Sequence, residues 1–147
     1  MENSNIKLER MEEKHLEEVL KIEKECFNKE SRKDFLNCIS RSEVYSYFVL
    51  VNGDRVVGYY GTMNVADDAE LLTIAVAKAE RRQGYAETML RSAELGCRVK
   101  GGSALFLEVN EKNTPAIELY KKFGFSVIST RAKYYGEDDA IIMRKNL

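Results

Sequence analysis

Two side chains in the second half of the chain are of types that perform acid–base chemistry. Glu108 interrupts an otherwise apolar stretch that runs from Ala104 to Val109. Burial raises the pKa of a carboxyl group, and such a group can act as a general base near neutral pH. The alternative is a structural carboxylate paired with a lysine or arginine. Tyr120 falls on the apolar side of the next helical pattern, where a phenol either protonates a leaving thiolate or is simply a core residue.

A second candidate site lies earlier, where an apolar run at 70–76 is followed by a polar loop and a helical pattern. The first N–H groups of a helix lack intrahelical acceptors, and the helix dipole adds partial positive charge there. A phosphate group fits such a position. Gly84 would let the phosphate approach the backbone closely, and Arg81 and Arg82 would add positive charge. The alternative is an ordinary polar turn that contains a glycine.

The loop lacks the two best-known phosphate-binding patterns. A Walker loop requires two glycines separated by four residues and followed by Lys-Ser or Lys-Thr, and this stretch has no such run. A dinucleotide-binding fold requires Gly-x-Gly-x-x-Gly, which is also missing here. The pattern that remains is Arg81-x-x-Gly84-x-Ala86.

Strands and helices alternate around both sites, which indicates an α/β domain with a mixed sheet and about four helices. We expect one domain over residues 1–147. The predicted strands cover 6–8, 45–51, 55–65, 70–76, 104–109, 125–131 and 140–144. The predicted helices cover 13–27, a segment capped by Ser31, 86–97, and a segment with Thr114 as N-cap, Pro115 at its first position and Gly124 at its end. Residues 134–139 are expected to form a loop. The apolar run at 104–109 predicts a sheet covered on both faces.

Composition excludes several classes of protein. Apolar residues make up 44% of the chain, which is typical of a globular protein. Basic and acidic side chains number 23 and 24, so nothing indicates a nucleic-acid partner. No apolar run approaches the ~20 residues of a membrane span. The three cysteines are widely spaced and the chain has a single histidine, which argues against a metal site and favours a reducing cytoplasm.

The order and spacing of these motifs resemble the GNAT acyltransferases. Arg81-x-x-Gly84-x-Ala86 is similar to that family's pyrophosphate-binding signature, Gln/Arg-x-x-Gly-x-Gly/Ala. The segments around Glu108, Asn113 and Tyr120 follow in the family's order. The ending, Arg131-x-Lys133-Tyr134-Tyr135 with Glu137-Asp138-Asp139-Ala140, resembles the RimI-type N-terminal protein acetyltransferases. The resemblance covers about residues 71–144.

The resemblance implies an activity and a set of residues. The activity is direct acetyl transfer from acetyl-CoA to the N-terminal α-amine of a protein, which in RimI relatives is a small-subunit ribosomal protein. Glu108 would activate the amine, Tyr120 would protonate the coenzyme A thiolate, and no metal would be needed. Tyr134 and Tyr135 would help to form the peptide groove. The residues expected to contact acetyl-CoA are Ile74, Ala75, Val76, Arg82, Gln83, Gly84, Tyr85, Ala86, Glu87 and Asn113.

The chain departs from the RimI pattern in two places. The segment 26–34, which borders the substrate groove, lacks a Pro-Trp pair, and the phosphate loop ends in Ala86 where glycine is more usual. Two other functions remain open at this point. One is acetylation of a small amine, such as a polyamine or amino sugar, which the acidic run at 137–139 could attract. The other is a non-catalytic acyl-CoA-binding module. The sequence leaves the acceptor and the oligomeric state undetermined.

Overall fold

The computed structural model describes residues 5–147, so the first four residues of the expected domain lie outside the described range. Within this range seven strands form one sheet. The strands are β1 (Ile6–Arg10), β2 (Tyr45–Asn52), β3 (Arg55–Val65), β4 (Asp68–Val76), β5 (Ala104–Asn110), β6 (Ser126–Tyr135) and β7 (Asp138–Asn146). The helices are α1 (Leu16–Phe27), α2 (Arg32–Ser40), α3 (Tyr85–Val99) and α4 (Thr114–Lys122). The predicted α/β class with a mixed sheet and four helices is confirmed.

The sheet changes direction at its centre. The strand order is β1-β2-β3-β4-β5-β7-β6, and every neighbouring pair is antiparallel except β4 and β5, which are parallel. Their pairing extends only from Asp68 opposite Ala104 to Leu71 opposite Leu107. Beyond Leu71 no residue of the described strands pairs with that edge of β4, so the two strands diverge toward their carboxyl ends. A gap at the carboxyl ends of parallel strands is where α/β sheets place ligands.

Helices cover the two faces of the sheet unequally. The core on one face joins α1 and α2 to β2 and β3 through Leu16, Val19, Phe35, Val49 and Tyr59. The core on the other face joins α3 and α4 to the central strands, with Met89, Leu90, Leu105, Leu107 and Tyr120 among its buried members. Both cores follow from helices with apolar residues at steps of three and four. The helical cover of β5 and β7 therefore lies on one face only, and β6 is exposed along its whole length.

The burial of β5 corrects the expectation that both of its faces are covered. Leu105, Leu107 and Val109 are buried under the α3–α4 side, whereas Phe106 and Glu108 on the opposite face are only partly buried. Arg144 of the neighbouring strand lies over the Phe106 ring, 5.6 Å from its centroid. The stretch 104–109 is apolar in sequence although one face is open, because the open face carries Phe106, which is partly exposed and lies under the Arg144 side chain.

Two local predictions change in the structure, and a third is confirmed only in part. The N-cap of α4 is Asn113, not Thr114, and Pro115 is the second helical residue, where its missing N–H is still harmless. Residues 134–139 are not a loop, because β6 continues to Tyr135 and β7 begins at Asp138. Ser31 is the N-cap residue of α2, as predicted, but its side chain makes no capping hydrogen bond.

The end of α4 agrees with the prediction. Gly124 has φ of +96° and donates its N–H to the Lys121 carbonyl, while the Phe125 N–H reaches the Tyr120 carbonyl at 2.9 Å. These paired bonds form a Schellman motif, which satisfies carbonyls that a helix end leaves open. Among residues 5–147, no helix is both long and apolar enough to cross a membrane.

Candidate active site

A cleft of about 860 Å³ opens where β4 and β5 diverge. Its walls come from the end of α1, the C-terminal half of β4, the loop before α3, the end of β5, and α4. The cleft therefore joins the glycine loop to the acid–base candidates Glu108 and Tyr120, which sequence patterns indicated separately. Its size is within the usual range for a small-molecule or cofactor site.

The loop before α3 has the backbone shape of an anion site. Arg82 and Gly84 adopt left-handed conformations, with φ of +66° and +79°, and Gly84 is the N-cap of α3 without any side-chain capping bond. The first intrahelical bond runs from the Thr88 N–H to the Gly84 carbonyl, so the N–H groups of the first turn lack intrahelical acceptors. Turns of this kind form concave sites for anions. Of the predicted contacts, Arg82, Gly84, Tyr85, Ala86 and Glu87 line the cleft.

Two side chains of the loop act differently from the expectation. The Arg81 Nε donates to the Val76 carbonyl at 3.2 Å, and its Nη2 donates to Cys26 Sγ at 3.2 Å. The guanidinium therefore ties the loop to β4 and α1 and is not free beside the helix end. Gln83 does not line the cleft, because it bonds the Glu80 carbonyl and accepts from the Tyr85 hydroxyl.

The carboxyl-terminal half of β4 supplies a strand edge to the cleft. Ile74, Ala75 and Val76 all line it, and on their other side they pair with β3. Within the described chain their β5-facing edge has no strand partner. Apart from the Val76 carbonyl, which accepts from Arg81 and Cys26, its backbone groups can bond an extended ligand. Asn113 also lines the cleft, but its Oδ1 accepts from the Ala116 N–H at 3.3 Å as the cap of α4.

Glu108 is not an isolated carboxylate. Its side chain is 19% exposed, and Arg131 Nη2 lies 3.1 Å from its Oε2. That oxygen is buried, and among the described residues it has no partner with hydrogen-bond geometry, so the contact with Arg131 is ionic without a well-directed bond. The Glu108 side chain thus lines the cleft while its buried oxygen has an ionic contact and no directed hydrogen bond.

A second carboxylate, Glu70 of β4, lies in the same environment. Burial raises the pKa of Glu70, the charge of Glu108 raises it further, and Arg131 lowers it. Two carboxylates therefore share one guanidinium on the open face of the sheet. Sequence patterns indicated no role for Glu70.

Tyr120 projects into the cleft from α4. It is 7% exposed, and its ring meets Phe125 edge-on with centroids 5.8 Å apart. Burial raises the pKa of Tyr120 to about 12, with Tyr135 as a smaller cause. The phenol therefore keeps its proton at neutral pH and is available as a donor.

The two tyrosines at the end of β6 separate in space. Tyr135 lines the cleft, and burial followed by the charge of Glu108 raises its pKa. Tyr134 does not line the cleft. Its ring lies under the Arg131 guanidinium at 4.8 Å and meets Tyr135 edge-on at 5.0 Å. The structure thus places only one of the pair where a direct contact with substrate is possible.

Besides Glu70, sequence reasoning missed two charged residues of the site. Arg131 was part of a motif but received no role, because its contact with Glu108 joins residues far apart in sequence. Glu23 is buried, lines the cleft and accepts the Ser31 N–H at 2.8 Å. A signal for Glu23 was present, since it follows Val19 by one helical turn and so falls on the buried face of α1.

The acidic run at 137–139 is largely occupied by internal contacts. Asp138 accepts from Asn110 and Lys112, and these bonds lower its pKa. Asp139 accepts the Lys133 N–H. Glu137 lies in the two-residue turn between β6 and β7. No group of three or more potential metal ligands occurs within residues 5–147.

Comparison with known proteins places this geometry in a family. The model of the acetyltransferase (GNAT) family matches residues 9–125. A Bacillus subtilis protein, which carries the name of a candidate [ribosomal protein bS18]-alanine N-acetyltransferase, is 36% identical over 131 residues, 87% of each chain. The [ribosomal protein bS18]-alanine N-acetyltransferase of Escherichia coli K12 is 34% identical over 117 residues, 77% of this chain and 78% of its own. A crystal structure of the ribosomal-protein-S18-alanine N-acetyltransferase from Escherichia coli superposes with a TM-score of 0.86 at 29% identity, covering 96% of this chain and 93% of the other.

Proposed function

The chain belongs to the GNAT acetyltransferase family, and we propose that it acetylates the N-terminal α-amine of a small-subunit ribosomal protein. It is an acetyl-CoA-dependent N-acetyltransferase. The acceptor class comes from relatives that carry the name of bS18-alanine N-acetyltransferases. All three cysteines are free, which supports the proposed location in a reducing cytoplasm.

The observation that carries the proposal is the convergence of three features on one cleft. The uncapped N-terminus of α3, the Glu108 carboxylate and the Tyr120 phenol all face the gap between β4 and β5. The helix end and the unpaired β4 edge would hold acetyl-CoA, which supplies the acetyl group as a thioester. A carboxylate and a protonated phenol in the same gap can then serve the two proton transfers that acetylation of an amine requires.

The proposed mechanism is a direct transfer in a ternary complex. Glu108 accepts the proton of the acceptor amine, through a water molecule, so that the neutral amine attacks the thioester carbonyl. The backbone edge of β4 orients the thioester for attack. As the new C–N bond replaces the C–S bond, Tyr120 gives its proton to the departing thiolate. An acceptor that starts as an ammonium group loses two protons, the first to Glu108 before attack and the second as the amide forms. Sulfur gains one proton from Tyr120, and the second nitrogen proton replaces it on the phenol, so the reaction releases one proton overall, from Glu108 to solvent.

An α-amine suits this site better than a lysine side chain. Its pKa is near 7.7–8.0, against about 10.4 for lysine, so far more of it is neutral at pH 7. An α-amine therefore demands less of the base that takes its proton than a lysine side chain does.

The structure does not favour the two alternative functions. A polyamine site at 137–139 is weakened, because Asp138 is already paired with Lys112 and one oxygen of Asp139 is bonded to the Lys133 backbone N–H. A non-catalytic acyl-CoA-binding module would have no use for Glu108 and Tyr120 in the cleft.

A competition between acceptors tests the proposal. With acetyl-CoA in excess, we expect rapid acetylation of a peptide whose free N-terminus is the alanine of the chain's own bS18 homologue. A matched peptide that is blocked at the N-terminus but carries a lysine should react far more slowly, and spermidine likewise. Mass spectrometry of the products identifies the acetylated nitrogen. Efficient turnover of spermidine together with inert free-N-terminus peptides would overturn the acceptor assignment.

A further inference from the structure

We propose that Arg131 is a positioning residue that keeps Glu108 ionised and directed into the gap against the opposing charge of Glu70. The inference rests on the proposed role of Glu108 as the base for the acceptor amine. Arg131 touches neither acetyl-CoA nor the reacting atoms in this scheme, and it acts entirely through Glu108.

The sheet register brings the three charged groups to one face. Glu70 lies opposite Phe106 on β5, and Glu108 follows Phe106 by two residues, so both carboxylates point to the open face. Arg131 of β6 pairs with Ala140 of β7, which in turn pairs with Asn110 of β5. Asn110 is two residues from Glu108 and therefore lies on the same face of the strand. Because β7 lies between β5 and β6, only a long side chain can cross it to reach Glu108. Arg131 does so with its Nη2 at 3.1 Å from Oε2.

Of the charged groups that surround Glu108, Arg131 is the one that serves as its counterion. From β4 it faces Glu70, whose raised pKa reflects burial and then the charge of Glu108. From β6 it faces Arg131 and Tyr135, and from β7 the nearest cation on the same face, Arg144, lies over Phe106 instead. Two neighbouring carboxylates without a counterion tend to share one proton. A protonated Glu108 cannot accept the proton of an amine.

Tyr134 fixes the guanidinium in place. Arg131 is 54% exposed, so solvent alone would let it swing away from Glu108. The Tyr134 ring supports it at 4.8 Å, a geometry in which a planar guanidinium stacks favourably on an aromatic face. The backbone helps, because Lys133 is left-handed with φ of +53° and its N–H is held by Asp139 Oδ1 at 2.9 Å. The register of β6 shifts between Arg131 and Tyr135, and this irregularity places the Tyr134 ring against Arg131. Tyr134 therefore has a role although it does not line the cleft.

The test is the pH dependence of kcat/KM in the Arg131→Gln variant with a free-N-terminus peptide. In the wild type, protonation of the peptide amine alone should give log(kcat/KM) a slope of about one between roughly pH 5.5 and 7. In R131Q, the carboxylate pair should also take up a proton over this pH range. Two protonations then lower the activity together, and the slope of log(kcat/KM) should approach about two. Relative to the wild type, activity should fall severalfold at the acid end of this range and recover most of the loss near pH 8.5.

Three variants separate this role from a structural one. Arg131→Lys keeps a cation and should restore the slope of the wild type. Glu70→Gln combined with R131Q removes the competing charge and should restore it as well. Arg144→Gln removes the neighbouring arginine of the same face and should leave the profile unchanged. If R131Q lowers activity by one factor at every pH, or if Glu70→Gln does not reverse its effect, the inference is wrong.

A second measurement does not depend on turnover. Carbon-13 NMR of labelled glutamate carboxyl groups, without substrate, should show that the upper titration step of the Glu70–Glu108 pair moves to higher pH in R131Q. Glu70→Gln and Glu108→Gln assign the two resonances. If no acceptor is acetylated but this step moves, the proposed acceptor fails while the electrostatic role of Arg131 stands. If the step does not move, the role of Arg131 fails whatever the acceptor is.

Discussion

The two walls of the cleft are built in different ways. One, here called the cofactor wall, consists of residues 74–76 and 81–87, a nearly continuous stretch that offers backbone groups. The other, the acceptor wall, consists of Glu108 and Tyr135, which line the cleft, together with the side chains of Glu70, Arg131 and Tyr134 that lie beside them; these come from β4, β5 and β6. A wall made of backbone is set by local conformation, whereas a wall made of side chains is set by strand order and register.

The difference has consequences for function. On the cofactor wall, the left-handed Gly84 and the helix end define the site whatever side chains flank them. On the acceptor wall, each group depends on another, since Tyr134 supports Arg131 and Arg131 opposes the charge of Glu70 beside Glu108. We therefore expect substitutions on the acceptor wall to change turnover, and substitutions on the cofactor wall to change cofactor affinity.

The largest effect should come from Glu108→Gln. The amide keeps the shape of the side chain but cannot accept the amine proton, so kcat should fall by roughly 10²–10⁴. Acetyl-CoA affinity, measured by calorimetry, should stay nearly unchanged because Glu108 belongs to the other wall. If acetyl-CoA affinity fell as much as turnover, the two walls would not have separate functions. A circular dichroism melt of the same sample shows whether the variant is folded.

Tyr120→Phe should have a smaller effect, toward the lower end of that range. The leaving thiol has a pKa near that of a cysteine, about 8.5, so it can depart as a thiolate without first gaining a proton. A protonated amine, in contrast, cannot attack at all, so the loss of the acid costs less than the loss of the base. Because burial raises the pKa of Tyr120 to about 12, the phenol is protonated well below that pH. Stopped-flow detection of free coenzyme A thiol in the wild type and in Y120F measures how much the hydroxyl contributes to the rate. Unchanged turnover in a folded Y120F protein would assign Tyr120 to the core alone.

The smallest effect expected concerns the cofactor wall. Acetyl-CoA at a hundredfold excess over its dissociation constant should stabilise the protein by about 2.7 kcal/mol and raise its Tm by several degrees. Gly84→Ala should lower the Tm of the free protein, because a left-handed conformation costs a residue with Cβ about 1–2 kcal/mol, and should also weaken the acetyl-CoA shift.

Gly101→Ala is the matched control for that variant. Gly101 is also left-handed, with φ of +93°, and a Cβ added at either glycine would meet no atom within 4 Å. The two differ in place, because Gly101 lies beyond the opposite end of α3. Gly101→Ala should show the same loss of Tm with a full acetyl-CoA shift. Equal ligand shifts for the two variants would mean that the phosphate loop is not where acetyl-CoA binds.

Sequence patterns predicted the cofactor wall well and the acceptor wall only in part. The strand, glycine loop and helix at 70–97 are read from local periodicity, and the structure agrees within a few residues. Glu108 and Tyr120 were found as polar residues on apolar elements. Asn113 and Thr114 are both good capping residues, and local sequence cannot choose between them. Residues 134–139 were expected to be a loop because they are polar, but β6 is an edge strand on which polar residues are well tolerated.

What the sequence alone determined is therefore the set of local conformations: which segments form strands and helices, where a helix begins after a left-handed glycine, and which face of each element is apolar. These follow from interactions between residues close in the chain. The tertiary structure alone decided that β7 lies between β5 and β6, and so that Arg131 reaches Glu108 beside Glu70. The physical reason is that ion pairs across a sheet depend on strand order and register, which arise from burial of the whole core and from no short segment of it.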